Sequence, residues 1–166
     1  MFRKISIVTG LTALLLVILA TTAISASTNN LGSVRAATAK FHKPEEAQAA
    51  GWDLVPGLDH CFENPGVGAM GYHYINTALL DTSLDALKPE AMVYAPEKNG
   101  RLKLAAVEYI VLAEAWDNEG NIEPPSLHGQ SFHLNENLGV YVLHAWIWMN
   151  NPSGMFEDWN PLVSCP

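Results

Sequence analysis

The stretch RLKLAAVEYIVLAEAW, residues 101–116, is the longest β-strand candidate in the chain and decides the predicted fold. It is rich in β-branched and large apolar residues, and the Asn-Gly pair before it is typical of a hairpin turn. Successive side chains of a strand point to opposite faces, so its even-numbered residues should share one face. From Leu102 to Leu112, Glu108 is the one charged residue of this face, in the middle of an otherwise apolar stripe.

Two further strand candidates each place a histidine on a similar stripe. In GAMGYHYIN, residues 68–76, alternation puts His73 on a face of small and apolar residues. The last strand candidate, GVYVLHAWIWM, puts His144 on one face with Trp146 and Trp148. Each of the three strands therefore carries one ionisable residue near the centre of an apolar face.

The order of the predicted elements favours an α+β fold. Two segments within residues 33–52, SVRAATAKFH and KPEEAQAAGW, are typical of short helices, the second with Pro44 at its first position. AMVYAP, residues 91–96, is a shorter strand candidate. Helices first and strands afterwards predict N-terminal helices packed on an antiparallel β-sheet or small β-barrel. The two longest strand candidates should be neighbours, separated by a long loop, residues 117–137.

The three ionisable residues form a candidate metal site. A lone carboxylate in an apolar environment must be paired, protonated or bound to a metal, so we expect Glu108 to meet His73, His144 or both. Two histidines and one carboxylate can hold a divalent transition metal (Zn²⁺, Cu²⁺, Fe²⁺ or Mn²⁺) and leave positions open. A structural His–Glu hydrogen-bond network and acid–base catalysis without a metal are the other interpretations. No reaction can be named, so enzymatic activity stays open.

Two further sets of side chains are candidates for binding. His128 and His133, in the long loop, are candidate additional metal ligands. Aromatic residues with polar tips can line a ligand cleft, although they can equally form a core. The candidates for an aromatic cleft that binds a small molecule or a carbohydrate are Tyr72, Tyr74, Tyr94, Trp146 and Trp148.

The beginning of the chain is typical of an exported protein. Residues 1–26 combine Arg3 and Lys4 with a long apolar run and a small-residue end, which predicts a signal peptide. Residues 27–32 then form a linker and residues 33–166 a single globular domain. An oxidising compartment would favour a disulfide between the two cysteines, Cys61 and Cys165, with free thiols as the alternative.

Charge excludes one class of partner for the exported domain. The chain has 9 basic and 17 acidic residues, and cleavage would remove two of the basic ones, leaving a net charge of about −10. An acidic chain without basic clusters argues against nucleic-acid binding. We also expect no stable membrane association after signal cleavage, and a secreted or periplasmic location.

The chain resembles an uncharacterised family of exported bacterial proteins. The resemblance lies in the segments GAMGYHY, PEAMVY, VEY and LHAWIWMNNPSGMFEDWNP, and in the terminal cysteine, and it spans residues 35–165. It implies a secreted or periplasmic single domain and carries no activity that could be transferred. Two hypotheses follow: a metal-binding domain with a buried two-His/one-Glu cluster, or a non-catalytic small-molecule or carbohydrate binding module with a structural His–Glu network.

Overall fold

The computed structural model describes residues 31–166. The predicted signal peptide, residues 1–26, and the first four residues of the predicted linker lie outside the described residues. Helix α1 begins at the end of that linker and covers Leu31–Thr38. A 3-10 turn at Ala39–Phe41 and helix α2 at Pro44–Ala49 follow, and helix α3 covers Ala113–Asn118. Within residues 31–166 no helix is both long and apolar enough to cross a membrane.

The strands of the described residues form one large antiparallel sheet and one small hairpin. The strands are β1 (Asp53–Leu54), β2 (Phe62–Asn64), β3 (Gly68–Ile75), β4 (Ala91–Pro96), β5 (Leu102–Leu112), β6 (Ser126–Leu127), β7 (Gln130–Ser131), β8 (His133–Asn135) and β9 (Val140–Ala145). The large sheet has the order β1-β3-β4-β5-β9-β8, with β2 also paired to β3, and β6 pairs only with β7. The α+β class with an antiparallel sheet is confirmed, and β5 and β9 are neighbours as predicted.

A β-bulge in β5 changes the predicted alternation. Val93 is opposite Ala106 and Tyr94 is opposite Leu104, so Ala105 is one extra residue on β5. The even-numbered stripe is therefore wrong at its beginning, because Leu104 lies on the face opposite to Glu108. The extra residue is used, since its carbonyl accepts hydrogen bonds from the backbone N–H groups of residues 148 and 149.

The last strand is shorter than predicted. Strand β9 ends at Ala145, and the backbone N–H of Trp146 donates to the carbonyl of Met155 in the tail instead of continuing the ladder. Alternation is lost at that point. Trp148 therefore does not share a face with His144 but packs on the other side of the sheet, where its indole N–H donates to Thr38.

One side of the sheet buries a set of aromatic residues that we call the aromatic core: Phe41, Trp52, Tyr74, Tyr94 and Tyr109. Side chains of α1 and α2 belong to the same buried cluster. Three of its polar groups donate to backbone carbonyls: the hydroxyl of Tyr94 to Phe41 at 2.7 Å, that of Tyr109 to Ala86 at 2.8 Å, and the indole N–H of Trp52 to Pro89 at 3.0 Å. These buried groups are therefore satisfied by neutral hydrogen bonds.

The predicted disulfide is present. Cys61 and Cys165 are bonded, with 5.6 Å between their Cα atoms, and close the tail onto the loop before β2. Cys165 packs against a second buried cluster that includes Trp146 and Val163 and lies on the side of the sheet away from the aromatic core. The disulfide therefore holds the tail over that side.

Candidate metal centre

The pairing of strands β3, β4, β5 and β9 brings His73, Glu108 and His144 together. Glu108 and His144 are direct partners across β5 and β9, so their side chains leave the sheet side by side. His73 is on β3, and β4 lies between it and β5. The residue of β4 opposite Glu108 is Ala91, whose small side chain leaves room for the imidazole of His73 to reach over β4.

A glycine allows the backbone of β3 to approach β4 closely just before His73. Gly71 has a φ of +105°, in the region that favours glycine. A Cβ atom at this position would overlap the carbonyl oxygen of Tyr94 on β4. The close approach of the two backbones therefore requires glycine two residues before the imidazole.

The polar ends of the three side chains converge on one point. The Nε2 atoms of His73 and His144 are 3.2 Å apart. Glu108 faces both rings, with Oε2 at 3.6 Å from Nε2 of His73 and Oε1 at 3.6 Å from Nε2 of His144. All three residues are buried, and one ligand atom from each lies within 4.8 Å of the other two. We call these residues the His–Glu cluster.

Burial and mutual charge determine the protonation of the cluster. Burial, followed by the nearby His144, lowers the pKa of His73 to about 3, so this ring is neutral near pH 7. Burial also raises the pKa of Glu108, against the effect of His144. Burial acts to lower the pKa of His144, but Glu108 and Asp158 outweigh it and raise that pKa above its ordinary value.

Asp158 is a fourth member of the site, and it contacts His144 on the side away from the cluster. Its Oδ1 is 3.1 Å from Nδ1 of His144, and its Oδ2 is 3.1 Å from Nε2 of His133. Burial acts to raise the pKa of Asp158, but hydrogen bonds from the two histidines hold it well below its usual range. A proton on Nδ1 of His144, donated to Asp158, would leave the Nε2 lone pair directed into the cluster.

The tail holds Asp158 by hydrogen bonds on both sides of it. The carbonyl of Glu157 accepts from the indole N–H of Trp146 at 2.6 Å, and the carbonyl of Trp159 accepts from the side chain of Asn151 at 3.2 Å. These contacts fix the backbone around the carboxylate. Asp158 therefore orients His144 in the way that carboxylates orient metal-ligating histidines in proteins.

His73 has one nitrogen without a hydrogen bond. Its Nδ1 is buried and has no hydrogen-bond partner among the described residues. The backbone of Gly71 acts to raise the pKa of this ring, but burial and the nearby His144 outweigh it.

A cavity of about 90 Å³ opens beside the cluster. His73, Glu108 and His144 line one part of it, together with Asp158 and His133. Most of the remaining wall is apolar and includes Leu58, Phe62, Met70, Ile75, Ile110, Leu138, Val140 and Val142. The open side of the cluster therefore faces a small apolar pocket.

The other predicted binding residues lie elsewhere. His133 contacts Asp158 and not the His–Glu cluster directly. His128 is buried beside the aromatic core, with Nε2 3.1 Å from the hydroxyl of Tyr109. Neither residue is placed as a ligand of the three-residue cluster.

The five aromatic residues do not line one cleft. Tyr74 and Tyr94 are buried with their rings 4.9 Å apart, and Tyr72 and Trp148 pack against the same cluster. Trp146 belongs to the second buried cluster, on the side of the sheet away from the aromatic core, and is 1% exposed. Tyr74 and Tyr94 do not line a cleft because residues of the helical segment, including Phe41, cover them.

Sequence reasoning missed Asp158. Its segment, FEDWNP, has no periodicity from which the direction of a side chain could be predicted. A chemical signal was available, since a metal-binding histidine usually donates its second nitrogen's proton to a carboxylate or carbonyl. That rule calls for a carboxylate or carbonyl beside His144 but does not single out Asp158 among the acidic residues of the chain.

Comparison with family models, with curated proteins and with solved structures finds no match to this chain. The geometry of the His–Glu cluster and its cavity is therefore the basis on which a function is proposed.

Proposed function

We propose that this domain binds a divalent transition metal through His73, Glu108 and His144. The observation that supports it best is the spacing of the donor atoms, 3.2 Å between the histidines and 3.6 Å from each histidine to the carboxylate. Donors about 2.1 Å from a common ion lie roughly 3.0–3.4 Å apart at tetrahedral or octahedral angles. The donor spacing is thus close to that of a ligand set in which each carboxylate oxygen faces one histidine.

The protonation of the histidines also supports a metal. His73 is neutral, and a His144 that donates to Asp158 presents a lone pair to the cluster. With the proton of His73 on Nδ1, two lone pairs and a carboxylate would face one another without a cation between them, whereas a proton on Nε2 of His73 would be donated to Nε2 of His144. A divalent ion removes that repulsion, and the ligand set of two imidazoles and one carboxylate suits Zn²⁺, Fe²⁺, Cu²⁺ or Mn²⁺. Three protein ligands leave further positions for water or a small molecule.

The proposal includes a location outside the cytoplasm. The Cys61–Cys165 disulfide is of the kind that persists in oxidising compartments. The signal-like first 26 residues and the resemblance to exported bacterial proteins support the same location. The domain would then work outside the cytoplasm, in the periplasm or the medium.

Elemental analysis tests the proposal directly. Protein purified without a chelator or a histidine tag should contain close to one transition-metal ion per chain. His144→Ala should lose it, while His42→Ala, which removes an exposed imidazole on Trp148, should retain it. Metal-free protein that also resists loading by dialysis against Zn²⁺, Fe²⁺, Cu²⁺ and Mn²⁺ would contradict the proposal.

One observation favours the alternative, a purely structural network. The raised pKa of His144 allows an imidazolium that pairs with Glu108 on one side and Asp158 on the other. Such a network needs no metal and would tie β5 and β9 to the tail. In that case His144→Ala should lower the free energy of unfolding without any metal-dependent difference, which urea unfolding with and without a chelator would show.

A further inference from the structure

The apolar residues next to the cluster restrict what can bind beside a metal. Ile75, Ile110 and Val142 each lie two positions from one of the proposed ligands, on β3, β5 and β9 respectively, and line the cavity with them. Side chains two apart on a strand share a face. A molecule that occupies an open coordination position would therefore touch hydrocarbon as soon as it extends away from the ion.

The charges around the cavity restrict the ligand further. Among the described residues no lysine or arginine lines the cavity, and its two carboxylates are Glu108 and Asp158. These two carboxylates balance the charge of a divalent ion. A phosphate or sulfate dianion would add two further negative charges with no arginine or lysine to pair with them, whereas a monocarboxylate would add one charge, held directly on the ion.

The size of the cavity sets a third limit. An engineered apolar cavity of about 150 Å³ takes benzene, so a cavity of about 90 Å³ should hold on the order of four non-hydrogen atoms. Leu138, which is 50% exposed, and the half-exposed His133 mark its opening to solvent. A sugar ring is too large for this space, and few hydrogen-bonding groups apart from the cluster and its carboxylate line it.

We infer that the site takes a small molecule with one polar, metal-binding head and a short apolar tail, of the class of short-chain monocarboxylates. The head occupies an open position of the metal, and the tail lies against Ile75, Ile110 and Val142. This inference rests on the proposed function, because the metal provides the contact for the head. Phosphate esters and carbohydrates are excluded from this site by charge and by volume.

A chain-length series on the Co²⁺-loaded protein tests the inference. Binding of formate, acetate, propionate, butyrate and hexanoate is followed through the visible absorption of Co²⁺. Each added methylene should lower the dissociation constant about fourfold, as expected for a buried CH₂ group, until the cavity is full near propionate. Inorganic phosphate should bind more weakly than acetate. Equal affinities along the series, or tighter binding of phosphate than of propionate, would overturn the inference.

Variants of the cavity wall make the test specific. Val140→Phe adds a ring at a partly buried position of the wall and should abolish the chain-length dependence without changing Co²⁺ affinity. Leu112→Phe is the matched control, because Leu112 is opposite Val140 on β5 but does not line the cavity. Ile110→Ala should instead extend the favourable series to hexanoate. A Val140→Phe series that equals the wild-type series would contradict the placement of the tail.

Equilibrium dialysis of Co²⁺ separates the two proposals. If no Co²⁺ binds to the wild-type protein, the proposed function and this inference both fail. If Co²⁺ binds in a one-to-one ratio but the carboxylates show no chain-length dependence, the inference about the ligand fails and the metal site stands.

Discussion

The aromatic core and the His–Glu cluster lie on opposite faces of the same sheet, and both bury polar atoms. They alternate along the strands: Tyr74 follows His73, and Tyr109 follows Glu108. In the aromatic core the hydroxyls of Tyr94 and Tyr109 each donate to a backbone carbonyl. In the cluster the ionisable groups face one another, and Nδ1 of His73 has no partner among the described residues.

Under the proposed function, the burial of polar groups is structural on one face of the sheet and serves metal binding on the other. A neutral donor paired with a carbonyl contributes about 1 kcal/mol and requires nothing more. Two histidines and a glutamate in contact are costly to bury unless a proton or a cation compensates them. The contrast predicts that substitutions in the aromatic core change stability, whereas those in the cluster change metal binding.

The largest effect is expected from the disulfide, which holds the tail over the cluster side of the sheet. Replacing Cys61 and Cys165 with serine should lower the free energy of unfolding by up to about 4.7 kcal/mol, the value for a closed loop of about a hundred residues. The tail should loosen while the sheet survives, so metal affinity should also fall because Asp158 is in that tail. Urea unfolding and metal titration measure both. A loss below about 1 kcal/mol would show that the tail is held by its other contacts.

The second effect compares neighbours on opposite faces of β5. Glu108→Gln keeps the shape of the side chain but replaces an anionic ligand with a neutral amide. Metal affinity should fall more than a hundredfold, beyond the 10- to 100-fold typical of residues that only contact a ligand. Tyr109→Phe, one position further, should leave metal affinity unchanged. Competition with a chromophoric chelator measures both constants, and equal affinities in the two variants would remove Glu108 from the site.

The third effect concerns a buried carboxylate that has no histidine beside it. Glu90 is 3% exposed and accepts a hydrogen bond from the backbone N–H of Ile110. Burial raises the pKa of Glu90 to about 7 in the folded protein, from 4.5. The folded state therefore binds a proton that the unfolded state releases, and this contribution to stability is lost as pH rises from about 4.5 through about 7.

Glu90→Gln, which imitates the protonated carboxyl, should remove that dependence. Relative to the wild type, the variant should gain up to about 3 kcal/mol of unfolding free energy between pH 5 and pH 8. Urea unfolding at the two pH values measures the difference. An offset between variant and wild type that is the same at both pH values would mean that Glu90 titrates normally.

The cluster could be predicted from sequence because strand alternation is local. His73, Glu108 and His144 each stand out against apolar neighbours two positions away, and buried charge needs a partner. The pairing of β5 with β9 then brings Glu108 opposite His144. Pattern and electrostatics therefore pointed to the same three residues, although neither identifies what they bind.

Other features depend on tertiary contacts that no local pattern contains. The bulge at Ala105 reverses the alternation because the carbonyl of that residue is used by the segment after β9. The alternation of side chains along a strand also does not show which face of the sheet other elements will cover. Tyr74 and Tyr94 are therefore predicted in a cleft from the sequence, whereas in the structure residues such as Phe41 cover them. Asp158 is reached only through the folded tail and its hydrogen bonds.

The fourth effect tests the role of Asp158. Asp158→Asn keeps a group that can accept from His144 but removes the charge that raises the pKa of that ring. Metal affinity should fall 10- to 100-fold, as for other carboxylates behind a ligating histidine. Glu157→Gln, an exposed neighbouring carboxylate, is the matched control and should leave affinity unchanged. Isothermal titration with Zn²⁺ distinguishes the two, and equal losses would indicate a general effect of charge.

The smallest effect is expected in the aromatic core. Tyr94 is fully buried, and Tyr94→Phe removes the hydroxyl that donates to the carbonyl of Phe41, which should cost about 1 kcal/mol of unfolding free energy. Tyr72→Phe, at a partly exposed position opposite it on β3, should cost less. Metal affinity should not change in either variant, because Tyr94 points away from the cluster. A change in metal affinity with Tyr94→Phe would show that the sheet couples its two faces, since this hydroxyl has no direct path to the ligands.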